Sequence, residues 1–529
     1  MMLILQQVSY LHPNKELLFD NIDLTVNHHE KIALIGNNGT GKSTLLKIIA
    51  GELAISGGQL NVHTEPYYMP QIFGQFNHLT VAQALNIDKK WKALKDILNG
   101  HATEDSFNIL NDDWTLEERC KNALQYWQLS DLDLSQKMET LSGGQKTKVL
   151  LAGISIHEPK LVLLDEPSNH LDIQSRKLLY DFIQSSQCSL IVVSHDRKLL
   201  NLLSKTCELS KHNMKVYGGN YDFYAEQKQL DENALNRDVQ GKEKELRKAK
   251  EKERETLERQ QKRETQGQKS LAKASIAPIL AGRRKESSEN TASKMKDIHA
   301  EKVGGVLEEL LELRSALPDM DKMKLGFDHS KLHKGKILFT VKDVNFSYDA
   351  QHLWPESLNF QITSGERIAL NGANGSGKTT LINLLLGHIE PQIGTIYRAN
   401  NDSVYIDQDY SLIDNSLNVY EQAQKFNSTA LQEHEVKMNL SRFLFTKETW
   451  DKPCHALSGG ERMRLTLCCL TINRQPPDSI ILDEPTNNLD IQNVKILTNA
   501  VNEYQGTLMV VSHDETFLEQ INVKRIIQL

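Results

Sequence analysis

Apolar and polar positions follow one order twice along this chain. Residues 1–26 alternate between the two, the pattern of strands in an antiparallel subsheet. Continuous apolar runs come next, Ile32–Ile35 in the first half and Ile368–Leu370 in the second. Each leads through a glycine-rich turn into a helix-like run, Leu45–Ile49 or Leu381–Leu385. Further on, Leu161–Leu164 and Ile480–Leu482 are uninterrupted apolar runs, which predict central parallel strands buried on both faces. The repeat of the whole order predicts a duplicated α/β domain. The first copy carries about 21 extra residues, within Asp88–Glu118, which enlarge its helical part.

A different pattern separates the copies. From Asp231 to about Gln266 the chain is dense in Lys, Arg, Glu and Gln, all good helix formers, and predicts a helix of about 50 Å. A turn is expected over Gly267–Pro278, since Pro278 stops or kinks a helix. A second helical stretch follows from about Ser287 to Ala316, with Leu307, Leu310, Leu311 and Leu313 as its apolar return. The expected linker is an antiparallel helical hairpin over residues 226–326, between domains at 1–225 and 327–529.

The turns carry chemistry. Gly36-Asn37-Asn38-Gly39-Thr40-Gly41-Lys42-Ser43 and Gly372-Ala373-Asn374-Gly375-Ser376-Gly377-Lys378-Thr379 both fit the phosphate-cradling loop, each in its strand–loop–helix context and followed by Thr44 or Thr380. Backbone N–H groups and a helix N-terminus would hold phosphate oxygens, with Lys42 and Lys378 reaching the outer phosphates. Ser43 and Thr379 would ligate Mg²⁺. Gln71 and Gln408 follow strand-like runs at nearly the same distance from their loops and are candidate metal and water contacts. Ser142-Gly143-Gly144-Gln145 and Ser458-Gly459-Gly460-Glu461 open helices and offer two more anion-binding N-termini.

The buried runs end in Asp165-Glu166 and Asp483-Glu484. Adjacent carboxylates at a buried strand end are costly without a cation. A Mg²⁺ held by Asp165 or Asp483 is the economical reading, with Glu166 and Glu484 orienting the attacking water. His195 and His513 lie equally far past those glutamates and read as γ-phosphate sensors. Before the phosphate loops, Tyr10 and His12 correspond to Phe346 and Tyr348; an aromatic there stacks on adenine or packs in the core.

Composition narrows the class. The net charge of −7 excludes a molecule that is basic throughout, so nucleic-acid binding requires a local patch. The outer half of the linker supplies one, with Arg259, Lys262, Arg263, Lys269, Lys273, Arg283, Arg284, Lys285, Lys294 and Lys296 opposed there by Glu264, Glu286 and Glu289. Six cysteines without C-x-x-C or metal spacing read as buried thiols of a reducing compartment. The N-terminus lacks a cationic, apolar leader, and no apolar run approaches the ~18 residues of a membrane span. A cytoplasmic protein without a membrane partner is expected, and a monomer.

This ordered set resembles the ATP-binding cassette superfamily over roughly Leu3–Tyr224 and Ile337–Leu529. The resemblance implies two P-loop cassettes in a head-to-tail sandwich with ATP and Mg²⁺ as cofactors. One ATP would lie between Lys42 and Ser458, the other between Lys378 and Ser142. Ser168, where the family usually has Thr as at Thr486, is a tolerated departure. His12 replaces the usual adenine-stacking aromatic. Two cassettes, no membrane domain, a charged linker and Tyr217–Tyr224 before it resemble the ABC-F family of translation factors. That resemblance implies binding in the ribosomal tRNA exit site, with the basic hairpin tip reaching rRNA and tRNA. Some members rescue stalled ribosomes and others confer antibiotic resistance. The chain is expected to lack the basic C-terminal helix of some members. The alternatives are a transporter ATPase subunit and an ATPase that binds branched DNA.

Overall fold

The computed structural model describes residues 1–271, 300–314 and 335–529, except positions 72, 349, 350, 374, 429, 474, 475 and 488. The chain divides into two compact units. One comprises Met1–Tyr224 with Met323–Leu529, the other Ala225–Lys322.

In the first unit each copy builds a central sheet whose middle strands, Leu161–Asp165 and Ser189–Val193 or Ser479–Asp483 and Thr507–Val511, are buried along their whole length. The first sheet runs Tyr67–Met69, Leu161–Asp165, Ser189–Val193, Lys31–Ile35, Lys205–Leu209, Met214–Tyr217, parallel except for the last pair. The second has five parallel strands, Ser403–Ile406, Ser479–Asp483, Thr507–Val511, Arg367–Asn371 and Arg525–Gln528. Continuous apolar runs give this arrangement because both faces are covered. The alternating N-terminal segment forms an antiparallel subsheet, Leu17–Val26, Leu3–Leu11, Gly57–Val62. Its counterpart is Leu358–Thr363, Ile337–Asn345, Ile393–Arg398.

Each core lies between subsheet and central sheet and is filled by the helix after the phosphate loop. In the first copy Lys42–Ile49 contributes Leu45, Leu46, Ile48 and Ile49. In the second Lys378–Leu386 contributes Leu381, Ile382, Leu384 and Leu385. Trp354, 1% exposed, packs there and donates from Nε1 to the Ser376 carbonyl at 2.9 Å, which ties the core to the phosphate loop. Helices Asp88–Leu98 and Glu104–Leu110 of the first copy have no partner in the second, where Val419–Lys425 leads to Glu433–Arg442. The extra residues are therefore a packed helix pair, inside the expected interval.

In the linker one helix, Tyr221–Leu271, continues through Gly267–Leu271, where a turn was expected. Gly267 costs about 1 kcal/mol in a helix, and Gln268, Lys269 and Leu271 are good formers that outweigh it. A helical segment over 300–314 carries buried Val306 and Leu310. It pairs with the long helix through Lys242–Glu309 and Arg314–Glu243. The expected hairpin turn, Pro278, and the tip residues from Lys273 to Lys296 lie outside the described residues. Five cysteines are buried free thiols, but Cys188 is only half-buried because it sits in the turn before the inner strand Ser189–Val193, against Ser186.

Trp354→Phe keeps the burial and loses one hydrogen bond. It should cost about 1 kcal/mol, against about 3–5 kcal/mol for Trp354→Ala, in denaturant unfolding of the chain.

Candidate active site

Both phosphate loops fold as strand-to-helix turns. Gly41 and Gly377 precede their helices in the left-handed region, at φ 95° and 90°, and neither helix start has a side-chain cap. A Cβ at Gly41 would strike Leu18 and Phe19, and at Gly377 it would strike Leu353. The first-turn N–H groups are thus left for an anion. Lys42, 8% exposed, donates to the carbonyls of Gly36 (2.7 Å) and Asn37 (3.1 Å). Lys378 does the same to Gly372 (2.8 Å) and Ala373 (3.0 Å). Burial lowers both ammonium pKa values, opposed by Glu166 near Lys42 and by Glu484 near Lys378. Thr40 closes its loop by donating to the Asn37 carbonyl at 2.9 Å. Asn374 lies outside the described residues.

The carboxylates sit where the central strands end. Glu166 N–H donates to the Val193 carbonyl and Glu484 N–H to the Val511 carbonyl, each at 2.8 Å. Both glutamates have left-handed backbone, φ 52° and 48°, a conformation that costs a non-glycine residue roughly 1–3 kcal/mol. The turn aims each side chain at a histidine. His195 Nε2 lies 3.2 Å from Glu166 Oε1, and His513 Nε2 lies 3.3 Å from Glu484 Oε1, neither aligned as a hydrogen bond. The His195 N–H also donates to Glu166 Oε2 at 3.3 Å.

Burial dominates the electrostatics. It pushes the Glu166 carboxyl up to about 8, helped by Asp165 and opposed by Lys42. It pushes Glu484 up to about 7, opposed first by Arg176. Burial also drops His195 to about 3 and His513 to about 4. Asp165 and Asp483 are raised by burial, against hydrogen bonds from Ser43 to Asp165 and from Tyr405 and Thr379 to Asp483.

These residues fit a divalent cation. Asp165 Oδ1, Glu166 Oε1 and Glu484 Oε1 are buried without hydrogen-bond partners, and the Ser43 and Thr379 hydroxyls adjoin Asp165 and Asp483. Among the described residues no cluster of three or more His, Cys, Asp or Glu could hold a metal alone, so phosphate and water oxygens must complete the shell.

The copies meet at these sites. A cavity of about 520 Å³ is walled by the second phosphate loop (Gly375, Gly377, Lys378, Thr379, Thr380), by Asp483, Glu484, Gln408 and His513, and by Ser142, Gly143 and Gly144 of the first copy. Ser142 caps the helix Gly143–His157 in a reciprocal box with Gln145. Ser458 caps Gly459–Ile472 likewise with Glu461, which Lys452 holds at 2.8 Å. Gly460 packs against Asn493 so closely that a Cβ would clash. At the other site the Asn38 N–H, on the first phosphate loop, donates to Asp490 Oδ2 of the second copy at 2.9 Å. That loop is therefore already shaped to accept an anionic oxygen. Tyr348 reaches the second-site cavity, 70% exposed, with its hydroxyl 3.0 Å from Thr380 Oγ1. In the first copy Tyr10 packs on the core with its ring edge-on to His12, 5.7 Å between centroids. Gln71 ends the run after Tyr67–Met69. Ser168 keeps a hydroxyl contact at 3.3 Å to Ser194.

Three contacts were not anticipated. Tyr405 donates to Asp483 Oδ2 at 2.9 Å; its register with Tyr68, three residues before each glutamine, was the available signal. Asp490 was only part of a recurring Asn-x-Leu-Asp run. Arg176 reaches the His513 carbonyl from the other copy at 3.3 Å. No local pattern announces it.

Paired phosphate loops, buried strand-end carboxylates and a capped helix start facing a loop from the other copy define a tandem nucleotide-binding P-loop protein. The family model described as ABC transporter matches residues 19–169 and 355–487. A putative ATP-binding protein, YdiF, of Bacillus subtilis is 32% identical over 97% of this chain and 78% of the relative. ATP-binding protein Uup of Haemophilus influenzae is 30% identical over 96% and 76%. ABC transporter F family member 5 of Arabidopsis thaliana is 28% identical over 95% and 71%. An archaeal ribosome recycling factor, solved with ribosomal stalk protein aP1, matches at TM-score 0.60 and 20% identity over 98% of this chain and 87% of that one, a likeness of fold. The chain belongs to the ABC transporter family of ATP-binding cassette proteins, in its tandem-cassette ABC-F branch, and is an ATPase.

A carboxyl with a raised pKa stays protonated in the fold while the unfolded chain ionises, so folded stability falls as pH rises from about 4.5 to the folded pKa. Glu166→Gln removes that loss. Without nucleotide and Mg²⁺, its melting temperature should exceed the native one by a margin that widens by a few degrees between about pH 5 and 8 and then levels off. A margin independent of pH would contradict the buried-carboxyl account.

Proposed function

We propose that this ATPase binds the ribosome in the tRNA exit site and uses ATP binding and hydrolysis to modulate translation or to relieve stalled or antibiotic-blocked ribosomes. The observation that carries the reading is the long charged helix Tyr221–Leu271 between two cassettes, together with the absence, among the described residues, of any helix long and apolar enough to cross a membrane. A relative bearing the ABC transporter F name, and a fold shared with a ribosome recycling factor, support it. A cytoplasmic monomer follows from the same reading.

In the proposed chemistry the phosphate-loop N–H groups and Lys42 or Lys378 bind the substrate's phosphates and hold the terminal one in line. Ser43 with Asp165, and Thr379 with Asp483, would hold Mg²⁺, with Gln71 and Gln408 beside them. When bound, Mg²⁺ supplies charge neutralisation on the phosphate oxygens. Glu166 and Glu484 orient water, and the left-handed turn fixes their approach. In their buried setting each glutamate has a proton affinity near neutrality, as a general base needs. His195 and His513, held neutral by burial, offer one N–H toward the terminal phosphate while facing the glutamate. Ser458-Gly459-Gly460-Glu461 would close on the substrate held by Lys42, and Ser142-Gly143-Gly144-Gln145 on that held by Lys378. Tyr348 would stack on adenine in the second site.

The chain with both Glu166→Gln and Glu484→Gln should bind ATP, hydrolyse it at least ~100-fold more slowly and stay in the ribosome pellet. The native chain should pellet with 70S ribosomes in ATP and not in ADP. Pelleting with branched DNA instead would favour the branched-DNA reading, and co-purification with a membrane protein the transporter one.

Replacing Lys269–Arg284 by a short Gly-Ser turn should leave basal ATPase intact and abolish ribosome stimulation, because phosphate contacts there would dominate affinity. Ribosome-stimulated ATPase and a translation assay check this; full stimulation in the variant would remove the tip from the account.

A further inference from the structure

The two sites differ at one largely buried position on the cassette interface. Arg176, on the helix Ile173–Ser185 of the first cassette, has its counterpart at Val494 on Ile491–Glu503 of the second. Both positions stand four residues past the aspartate that caps the helix, Asp172 or Asp490. The Arg176 side chain is 12% exposed, and its Nη1 donates to the His513 carbonyl across the cassette interface at 3.3 Å. Its Nε donates to the Leu171 carbonyl at 3.1 Å, so the guanidinium is anchored to the segment that reaches across to the second phosphate loop. It lines the cavity that holds Lys378, Glu484 and Ser142. A smaller cavity of about 190 Å³ between the two histidine segments is lined by Arg176 on one side and Val494 on the other. Val494 offers the first site neither donor nor charge.

We propose that Arg176 is a positioning residue supplied in trans: it fixes the His513 segment of the second ATP site, and the first site, with Val494 in that place, lacks the device. The two sites of this chain are therefore unequal, with turnover at the second dependent on the first cassette's being seated against it. The inference rests on the proposed assignment of Glu166 and Glu484.

The mechanism follows from geometry. His513 Nε2 lies 3.3 Å from Glu484 Oε1 without hydrogen-bond alignment, so its orientation depends on its backbone. A charged donor on the His513 carbonyl restrains that peptide, and a misplacement of about 1 Å at a reacting centre can cost ~100-fold in rate. The competing explanation is that Arg176 serves only Asp196 in its own cassette, whose Oδ2 lies 3.9 Å away. Asp196 already receives the Tyr180 hydroxyl at 2.6 Å and caps the helix Arg197–Asn201. Asp196 follows His195, so loss of that pairing would harm the first site, the opposite of what we propose.

Full-length Glu166→Gln leaves the second site hydrolysing, and Glu484→Gln leaves the first. If both single variants keep the full native rate, the glutamate assignment fails before Arg176 is tested. In each background, Arg176→Val and Arg176→Lys are compared by steady-state ATPase, with melting temperature and binding of a fluorescent ATP analogue as checks of folding. Arg176→Val should lower kcat about 10-fold or more in the Glu166→Gln chain, with KM changed less than about 3-fold, and should lower kcat less than about 3-fold in the Glu484→Gln chain. Arg176→Lys, which keeps a charged donor but loses the planar fork, should recover part of the second-site kcat. If Arg176→Val melts early, Arg176→Lys carries the comparison, with a loss confined to the second site. Equal losses in both backgrounds, a first-site loss, a change in KM alone or no loss overturns the proposal.

Discussion

Four carboxyl groups buried at the ends of two central strands constrain most of what surrounds them. Asp165, Glu166, Asp483 and Glu484 are each no more than 6% exposed, and ionised carboxylates there are expensive without a cation. The fold answers in three ways. Lysines from the phosphate loops lie close by, hydroxyls of Ser43, Thr379 and Tyr405 donate to the aspartates, and the glutamates' pKa values rise toward neutrality. The remaining orphaned oxygens are a donor set that fits a divalent cation, as proposed for these sites. The strained backbone at Glu166 and Glu484 belongs to the same arrangement. It is tolerated because the N–H before each side chain is fixed to the next strand.

The same logic extends across the cassette interface. The phosphate loops present uncapped N–H groups, and the described interface presents an oxygen to one of them, Asp490 to Asn38. A carboxylate from one cassette on the phosphate loop of the other means that cassette contact and anion binding use the same donors. Lys198 and Glu515 pair across the interface as well. The interface contact and the phosphate-loop donors thus share one backbone N–H.

The central sheets, the subsheets and the duplication were legible in the sequence, because buried parallel strands are continuous apolar runs and phosphate loops need their glycines and lysine in contiguous order. The strand-end carboxylates were legible because no polar pair belongs in such a run without a partner. The extra residues were legible as an enlargement of the helical part, but not as a packed pair, since length says nothing of packing. The start of the expected turn, Gly267–Leu271, is helical because one glycine in a lysine- and glutamine-rich stretch costs less than the helix gains, and the rest of that turn lies outside the described residues. The half-burial of Cys188 was missed because cysteine spacing excludes metals but does not report depth. Tyr10 was ambiguous between stacking and core, and the subsheet takes it into the core. Contacts such as Tyr405 to Asp483 join residues far apart in sequence, and their signal exists only when the two copies are set in register.

Register also exposes what duplication hides. Two copies of one cassette would give two equal sites, and the aligned loops, glutamates, histidines and helix starts look interchangeable in isolation. Some differences lie where each copy meets its neighbour. Arg176 corresponds to Val494, Tyr180 to Thr498, and Gln145 to Glu461 with its Lys452. A residue that acts within its own cassette can be checked against its duplicate. One that acts across the interface is matched by a different partner on each side, so the pair can drift apart without disturbing either fold. Val494 and Thr498 remain buried and packed in the second helix, so the exchange of an arginine and a tyrosine for smaller side chains leaves that cassette's core intact. The interface is therefore one place where this chain can make its two ATP sites behave differently.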